Sequence, residues 1–204
     1  MLNLLKQQGF IGDKMTIDDY KAILKENLIE KRYFHSLCVA DEAKRLSLKY
    51  GADSDKMYLA GLLHDITKNK SDKSQLQLCE KFGIMLNRTE LSSPLIWHAI
   101  TGAEYVKREL GIVDHDIISA IRYHTTGKAN MSLPEKIVFT ADLTSKDRSY
   151  PDIAEIRAAA DRDLDECILK VLKFTITDIV SKGNPLHPDT LEAYNYLITE
   201  KKEV

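Results

Sequence analysis

Four histidines and two aspartates stand where helical spacing turns their side chains toward the protein interior. They are His35, His64, Asp65, His98, His124 and Asp142. His35, for example, begins a stripe continued by Val39, Ala43 and Leu46, which places its imidazole on the buried face of a helix. Burying an unpaired carboxylate costs several kcal/mol, and each unsatisfied imidazole adds about 1–3 kcal/mol. Some shared interaction must therefore offset the free-energy cost of burying these six groups.

A bound metal ion supplies that interaction. Neutral imidazole nitrogen and carboxylate oxygen suit iron, manganese, cobalt or zinc, and the lack of a nearby cysteine pair argues against a closed structural zinc site. Asp65 has two carboxylate oxygens, so it could bridge two ions at the separation of about 3.5–4 Å that two-metal hydrolases show. The sequence thus predicts a centre with one or two metal ions.

Each of these histidines, taken alone, is more often a hydrogen-bonded core residue than a metal ligand. The joint arrangement favours the metal interpretation, because an adjacent His64-Asp65 pair with buried histidines on three other helices is hard to explain by packing. His115 and His187 stand beside Asp and Pro at predicted helix starts. We therefore expect these two histidines to be exposed or to cap helices.

Helical periodicity extends over nearly the whole chain, and no run shows the alternating pattern of a β-strand. The predicted helices cover about 16–28, 30–50, 53–67, 71–83, 94–111, 114–126, 134–148, a short segment after 151, 163–182 and a segment after 188. Gly102, one turn after His98, is expected to leave open space beside that ring. No repeat or linker separates two cores. The prediction is an all-α fold: one helical bundle over 1–204 with the metal site in its centre, a core at about 16–182 and C-terminal helices at 163–200 bracing it.

Composition restricts the partners. The chain has 204 residues, with 29 basic and 31 acidic side chains, and 44% of its residues are hydrophobic, which is typical of a soluble globular domain. The interspersed charges form no basic face that could bind long nucleic acid. They are compatible with binding of a small phosphorylated ligand. No apolar run approaches the roughly 18 residues of a membrane span, and residues 1–10 lack the pattern of a secretory signal.

Three well-separated cysteines are odd in number, as expected of reduced thiols in the cytoplasm. They are Cys38, Cys79 and Cys167. An apolar stripe on the C-terminal helices could support a homodimer.

The order His35, His64-Asp65, Asp142 resembles the H…HD…D signature of the HD superfamily of metal-dependent phosphohydrolases. Four segments resemble more specifically those of its YqeK group: R-Y-F-H-S at 32–36, G-L-L-H-D-I-T-K at 61–68, P-L-I-W-H-A at 94–99 and H-T-T-G at 124–127. The resemblance spans roughly 16–182. The stretch 142–148 departs from it, reading D-L-T-S-K-D-R where members tend to carry an acidic or proline-bearing segment.

That resemblance implies an iron-binding helical domain that holds nucleoside diphosphates and hydrolyses diadenosine tetraphosphate symmetrically to two ADP. It implies one metal ion on His35, His64, Asp65 and Asp142, and a second on His98 and His124 with Asp65 shared. Asp65, Lys68, His98 and His124 would then form the catalytic set around a metal-activated water. Iron is the favoured ion, and manganese and cobalt are alternatives.

Six residues are candidates for binding the substrate phosphates: Arg32, Lys68, Thr125, Thr126, Gly127 and Arg148. Lys68 lies four residues after His64, so it can lean over the metal site and neutralise a pyrophosphate. Arg148 could hold phosphate bidentately, and Arg32 could contact either phosphate or a ligand. The 125–127 segment could donate to phosphate oxygens or could form a plain helix C-cap. Trp97 is expected to pack in the core.

Three other interpretations stay open at this point, and the last in rank is a structural helical protein whose core histidines are satisfied without a metal ion. One alternative within the same superfamily is another nucleotide phosphohydrolase, either a 5'-nucleotidase or a phosphodiesterase. An alternative from a different functional class is a non-catalytic sensor in which the metal ions hold a nucleoside diphosphate.

Overall fold

The computed structural model describes residues 15–200. In that part of the chain it contains eleven α-helices, one 3-10 turn at Pro94–Ile96 and no β-strand, which confirms the predicted all-α fold. The helices are α1 Ile17–Asn27, α2 Glu30–Tyr50, α3 Ser54–Leu63, α4 Asp72–Phe82, α5 Arg88–Leu91, α6 Trp97–Glu109, α7 His115–Tyr123, α8 Leu133–Thr144, α9 Ile153–Arg162, α10 Leu164–Ser181 and α11 Pro188–Glu200.

Helix starts follow the capping residues of the sequence. Thr16 and Asp19 form a capping box, in which the Thr16 N–H donates to the Asp19 carboxylate over 2.8 Å. Asp53, Ser71 and Asp114 each accept hydrogen bonds from backbone N–H groups in the first turn of α3, α4 and α7. These caps satisfy donors that a helix start otherwise leaves free.

The central helices are α2, α3, α7 and α8. α2 packs against α3 and α8, while α7 packs against α3, α6 and α8. Their facing surfaces bury an apolar core that includes Leu46, Leu63, Ile121 and Ile137. α10 packs on α8 and α9, and α11 packs on α10, so the C-terminal helices do contact the bundle.

The limits of the single domain stay a prediction. The expectation for residues 1–10 concerns a segment outside the described residues. Between residues 15 and 200, no helix is both long and apolar enough to cross a bilayer.

Three predicted helix ends were wrong. α3 ends at Leu63 rather than 67, α7 at Tyr123 rather than 126, and α8 at Thr144 rather than 148. After α3 the backbone continues in tight turns with i to i−3 hydrogen bonds, such as Lys68 N–H to the Asp65 carbonyl over 2.8 Å. Hydrophobic periodicity does not report such turns, because their side chains stay buried. The short helix α5 was also missed.

Gly61 lies where α2 and α3 approach each other. A Cβ atom added there would stand 3.0 Å from the Val39 carbonyl oxygen and 3.1 Å from both Ala40 Cα and Ala43 Cβ. Because these are backbone or rigid atoms, the helices would have to separate. We expect Gly61→Ala to lower the free energy of unfolding by about 1–3 kcal/mol in urea denaturation.

Gly102→Ala is the matched control. The prediction of open space at Gly102 was wrong, because α6 packs there on the turn after α3. An added Cβ would nevertheless make only ordinary contacts, at 3.5 Å from Thr67 Oγ1 and 3.7 Å from the His64 carbonyl oxygen. Stability should therefore change by less than about 1 kcal/mol, or rise with the better helix propensity of alanine. Equal losses from both substitutions would contradict the packing argument.

Candidate metal centre

Four imidazole rings form a row in the centre of the bundle. Ring centroids lie 5.3 Å apart for His35 and His64, 4.9 Å for His64 and His124, and 5.1 Å for His98 and His124. Each of these four histidines is at most 3% exposed, which confirms that they face inward. α2 carries His35, the turn after α3 carries His64, and α6 and the end of α7 carry His98 and His124.

Two groups of potential ligand atoms adjoin each other. In the first, His35 Nε2 lies 2.9 Å and His64 Nε2 lies 3.9 Å from Asp142 Oδ1. In the second, Asp65 Oδ1 lies 3.2 Å from His98 Nε2 and 3.7 Å from His124 Nε2. The other oxygen of Asp65 lies 3.3 Å from His64 Nε2. Asp65 therefore reaches both groups, as a bridging carboxylate must.

The hydrogen bonds of two rings leave nitrogen lone pairs facing into this cluster. His64 Nδ1 donates to the Gly61 carbonyl and His124 Nδ1 to the Ile121 carbonyl, both over 2.7 Å. In the neutral rings each Nε2 is then an acceptor. His64 Nε2 is buried and has no hydrogen-bond partner in the part of the chain that the structure describes, and His124 Nε2 faces His98 Nε2 at 3.2 Å. A buried imidazole lone pair without a partner, beside ionised carboxylates, is satisfied by a cation, so the residues present fit a metal ion.

The electrostatics keep these groups in their ligand forms. Burial would raise the pKa of Asp65, but its electrostatic interaction with His64 and its contacts with the surrounding imidazole rings hold it well below its usual range. Burial would also raise the pKa of Asp142, but the contact with His35 and the Arg148 charge lower it. Burial lowers the pKa of His98 to about 4. Ionised carboxylates and a neutral imidazole are the forms that bind metals.

Three cationic side chains connect the buried cluster with solvent. Arg32 Nη1 donates to Asp65 Oδ2 over 2.8 Å, and Arg148 donates to both the carboxylate and the backbone carbonyl of Asp142. Lys68 Nζ lies 3.2 Å from His98 Nδ1, and burial lowers the pKa of its ammonium. Arg32 and Arg148 keep 30% and 33% of their side-chain surface exposed, so both remain within reach of a ligand that arrives from solvent.

The 125–127 segment behaves mainly as a helix end. Gly127 has a φ of +63° and its N–H donates to the Tyr123 carbonyl over 2.9 Å, while the Thr126 hydroxyl donates to the Gly127 carbonyl. The C-cap alternative thus accounts for both residues. Only the Thr125 hydroxyl is buried without a partner in this segment.

Three further expectations from the sequence are confirmed. Trp97 is buried in the core, where its indole N–H donates to the Glu90 carbonyl over 2.6 Å. His115 is exposed at the start of α7. His187, though buried, caps α11, because its Nδ1 accepts the Asp189 N–H over 3.1 Å.

Sequence reasoning missed two residues beside the cluster, Asp147 and Gln75. Asp147 Oδ2 lies 2.8 Å from His35 Nδ1. Asp147 lies in the stretch 142–148, which departs from the family pattern, and no periodicity marks it. Gln75 lies on α4, and only its place on the inner face of that helix could have drawn attention to it.

Gln75 belongs to a buried network that joins the turn after α3 to α6. Its Nε2 donates to the Thr67 carbonyl over 2.8 Å, and Thr67 Oγ1 donates to the His98 carbonyl over 3.0 Å. We expect Gln75→Leu to lower the free energy of unfolding by about 1–3 kcal/mol, because the Thr67 carbonyl would lose one of its two hydrogen bonds and the buried Thr101 hydroxyl would lose its bond to Gln75 Oε1. Gln77→Leu, on the exposed face of the same helix, should change stability little. Indistinguishable denaturation midpoints for the two variants would refute the network's role.

Fold and site together define a class of protein. A helical bundle whose centre carries an H…HD…D set of potential metal ligands is typical of a metal-dependent phosphohydrolase. The sequence model described as "HD domain" matches residues 32–147, more than half of the chain. The chain belongs to the HD domain family, and this membership implies dependence on a divalent metal ion.

Relatives within the family define the group further. The chain is 35% identical over 185 residues to a Bacillus subtilis protein named "Bis(5'-nucleosyl)-tetraphosphatase, symmetrical", covering 91% of this chain and 99% of that one. A protein of the same name from Halalkalibacterium halodurans is 39% identical over 180 residues, covering 88% and 96% of the two chains.

A solved structure matches as well. It is a Clostridium acetobutylicum protein described as a predicted HD superfamily hydrolase involved in NAD metabolism. It superimposes with a TM-score of 0.88 at 39% identity, covering 91% of this chain and 98% of that one.

Proposed function

We propose that this chain hydrolyses diadenosine tetraphosphate symmetrically to two ADP. The observation that carries the proposal is the pair of adjoining His/Asp groups joined by Asp65 and lined by Arg32, Lys68 and Arg148. The names of the relatives that match nearly the whole chain support the substrate and the cleavage register. They favour this reaction over a nucleotidase, a phosphodiesterase or a sensor.

The ligand assignment is part of the proposal. His35, His64 and Asp142 would hold one ion, and His98 and His124 a second, with Asp65 contributing an oxygen to each. A bound ion supplies Lewis acidity toward phosphate oxygens and lowers the pKa of a coordinated water, which gives a nucleophile near neutral pH. Nitrogen and oxygen donors suit iron, the ion we propose, and also manganese or cobalt.

The residues of the chain would act on the charge of the substrate. Lys68, fixed beside His98, donates to a phosphate oxygen and meets the negative charge that develops on the leaving ADP. Arg148 and Arg32 hold the flanking phosphates while they keep their carboxylate partners in place. Thr125, whose hydroxyl has no partner among residues 15–200, can donate to the same group of oxygens. Water adds across the central P–O–P bridge, so each half leaves as a diphosphate.

Product chromatography tests the proposal. Protein loaded with iron, manganese or cobalt is incubated with diadenosine tetraphosphate, and ADP as the sole nucleotide product is expected. ATP with AMP would overturn the symmetric register, and tight ADP binding without turnover in fully metallated protein would favour the sensor. Faster cleavage of nucleoside monophosphates would favour the nucleotidase.

We also propose that the protein acts in the cytoplasm and forms a homodimer. The described cysteines Cys38, Cys79 and Cys167 are buried and free, which supports the cytoplasm as the place of action. Phe174 and Val180 on α10 are exposed apolar residues and support a homodimer. Both stay predictions, and size-exclusion chromatography with light scattering tests the second.

A further inference from the structure

We propose that Asp147 is a positioning residue that fixes the ring of His35 and thereby tightens metal binding by the His35, His64 and Asp142 group. The inference rests on the proposed metal centre. It concerns the affinity of that centre rather than the reaction carried out there.

The contact geometry is that of a carboxylate that orients an imidazole. Asp147 Oδ2 lies 2.8 Å from His35 Nδ1, on the side of the ring away from Asp142. The Ser145 hydroxyl donates to the other oxygen, Asp147 Oδ1, also over 2.8 Å. Because Ser145 is fully buried and the Asp147 side chain is 18% exposed, the carboxylate is held on both of its oxygens.

His35 needs such a partner more than His64 and His124 do. His64 and His124 come directly after a helix end, so each ring bonds a carbonyl of its own last turn. His35 lies inside α2, where the backbone carbonyls are engaged by the helix. Its second nitrogen must therefore bond a group from elsewhere in the fold, and Asp147 supplies that group.

A carboxylate does more than a carbonyl in this position. It selects the tautomer with the proton on Nδ1, which leaves the Nε2 lone pair toward Asp142. It also makes the imidazole a stronger donor to a cation, and partners of this kind typically contribute 10–100-fold to metal affinity. The neighbouring Arg148 bonds Asp142, so one short loop sets two ligands of the same group.

The test compares metal dissociation constants of Asp147→Asn and the unchanged protein. Metal-free protein is titrated with Co²⁺ against a competing chelator, and the visible absorption of the bound cobalt is recorded. We expect Asp147→Asn to bind Co²⁺ about 10–100-fold more weakly, with a changed cobalt spectrum. An unchanged dissociation constant would overturn the inference.

Asp161→Asn is the matched control. Asp161 also accepts a short hydrogen bond, from Arg45 over 2.8 Å, but it touches no imidazole in the described part of the chain. An equal loss of Co²⁺ affinity in this variant would show that the effect is general and would count against a specific role of Asp147.

Ser145→Ala is the second variant, and it keeps the carboxylate. It should weaken Co²⁺ binding severalfold, and wild-type affinity would contradict the proposal even if Asp147→Asn failed to fold. The readout separates this inference from the proposed reaction. A protein that binds metal but cleaves no dinucleotide refutes the reaction alone, while an Asp147→Asn protein with wild-type affinity refutes the inference alone.

Discussion

Replacement of Asp65 by asparagine is expected to abolish retention of the metal ions and to lower turnover of diadenosine tetraphosphate by more than about a hundredfold. Asp65 faces His64 on one oxygen and His98 and His124 on the other, so the substitution removes the single charge shared by both groups. Asparagine keeps the volume of the side chain. Metal content after desalting and initial rates under saturating metal measure the two effects.

Asp55→Asn is the control for that substitution. Asp55 lies in the first turn of α3, the same helix that leads to Asp65, and its side chain is 92% exposed. Metal content and turnover should stay at wild-type values. Full activity of a folded Asp65→Asn protein would exclude the proposed mechanism.

Lys68→Met is expected to separate catalysis from metal binding. Lys68 Nζ lies beside His98 but is no metal ligand, so the variant should keep its metal content. The loss of a fixed positive charge beside the leaving phosphate should lower kcat by about 10²–10³-fold. Steady-state kinetics on metal-saturated protein measures the effect.

Lys70→Met is the matched variant. Lys70 lies two residues further along the same turn, but its Nζ donates to Asn27 Oδ1 over 3.2 Å rather than facing the cluster. Its kcat should remain near the wild-type value. If Lys68→Met raised only KM, Lys68 would be a binding residue with no role in the transition state.

The helices and the burial of the candidate ligands could be predicted from the sequence because both depend on local pattern. Inward spacing of His35 and His98 places them on buried helix faces, and capping residues such as Thr16 and Asp53 mark where helices begin. Such features act within a few residues of chain. The order of the motifs along the chain then indicated the family by resemblance.

The remaining features depend on contacts between distant segments. Asp147 reaches His35 across 112 positions of sequence, and Thr67 reaches the His98 carbonyl across 31. Nothing in the spacing around Asp147 marks it as a partner of His35. The ends of α3 and α7 were missed because the hydrophobic pattern continues into the turns that follow, where the His64 and His124 rings bond backbone carbonyls of the last turn.

The bonds from His64 to the Gly61 carbonyl and from His124 to the Ile121 carbonyl bear on how the protein exchanges its metal. Both rings are oriented within their own turn of chain, three residues from the group they bond. The orientation of these two rings is therefore established when the helices form and does not depend on the ion. Binding of an ion by these two residues should therefore require little rearrangement of the chain. The protein should consequently lose and regain metal without unfolding, unlike small domains whose fold exists only with the metal bound.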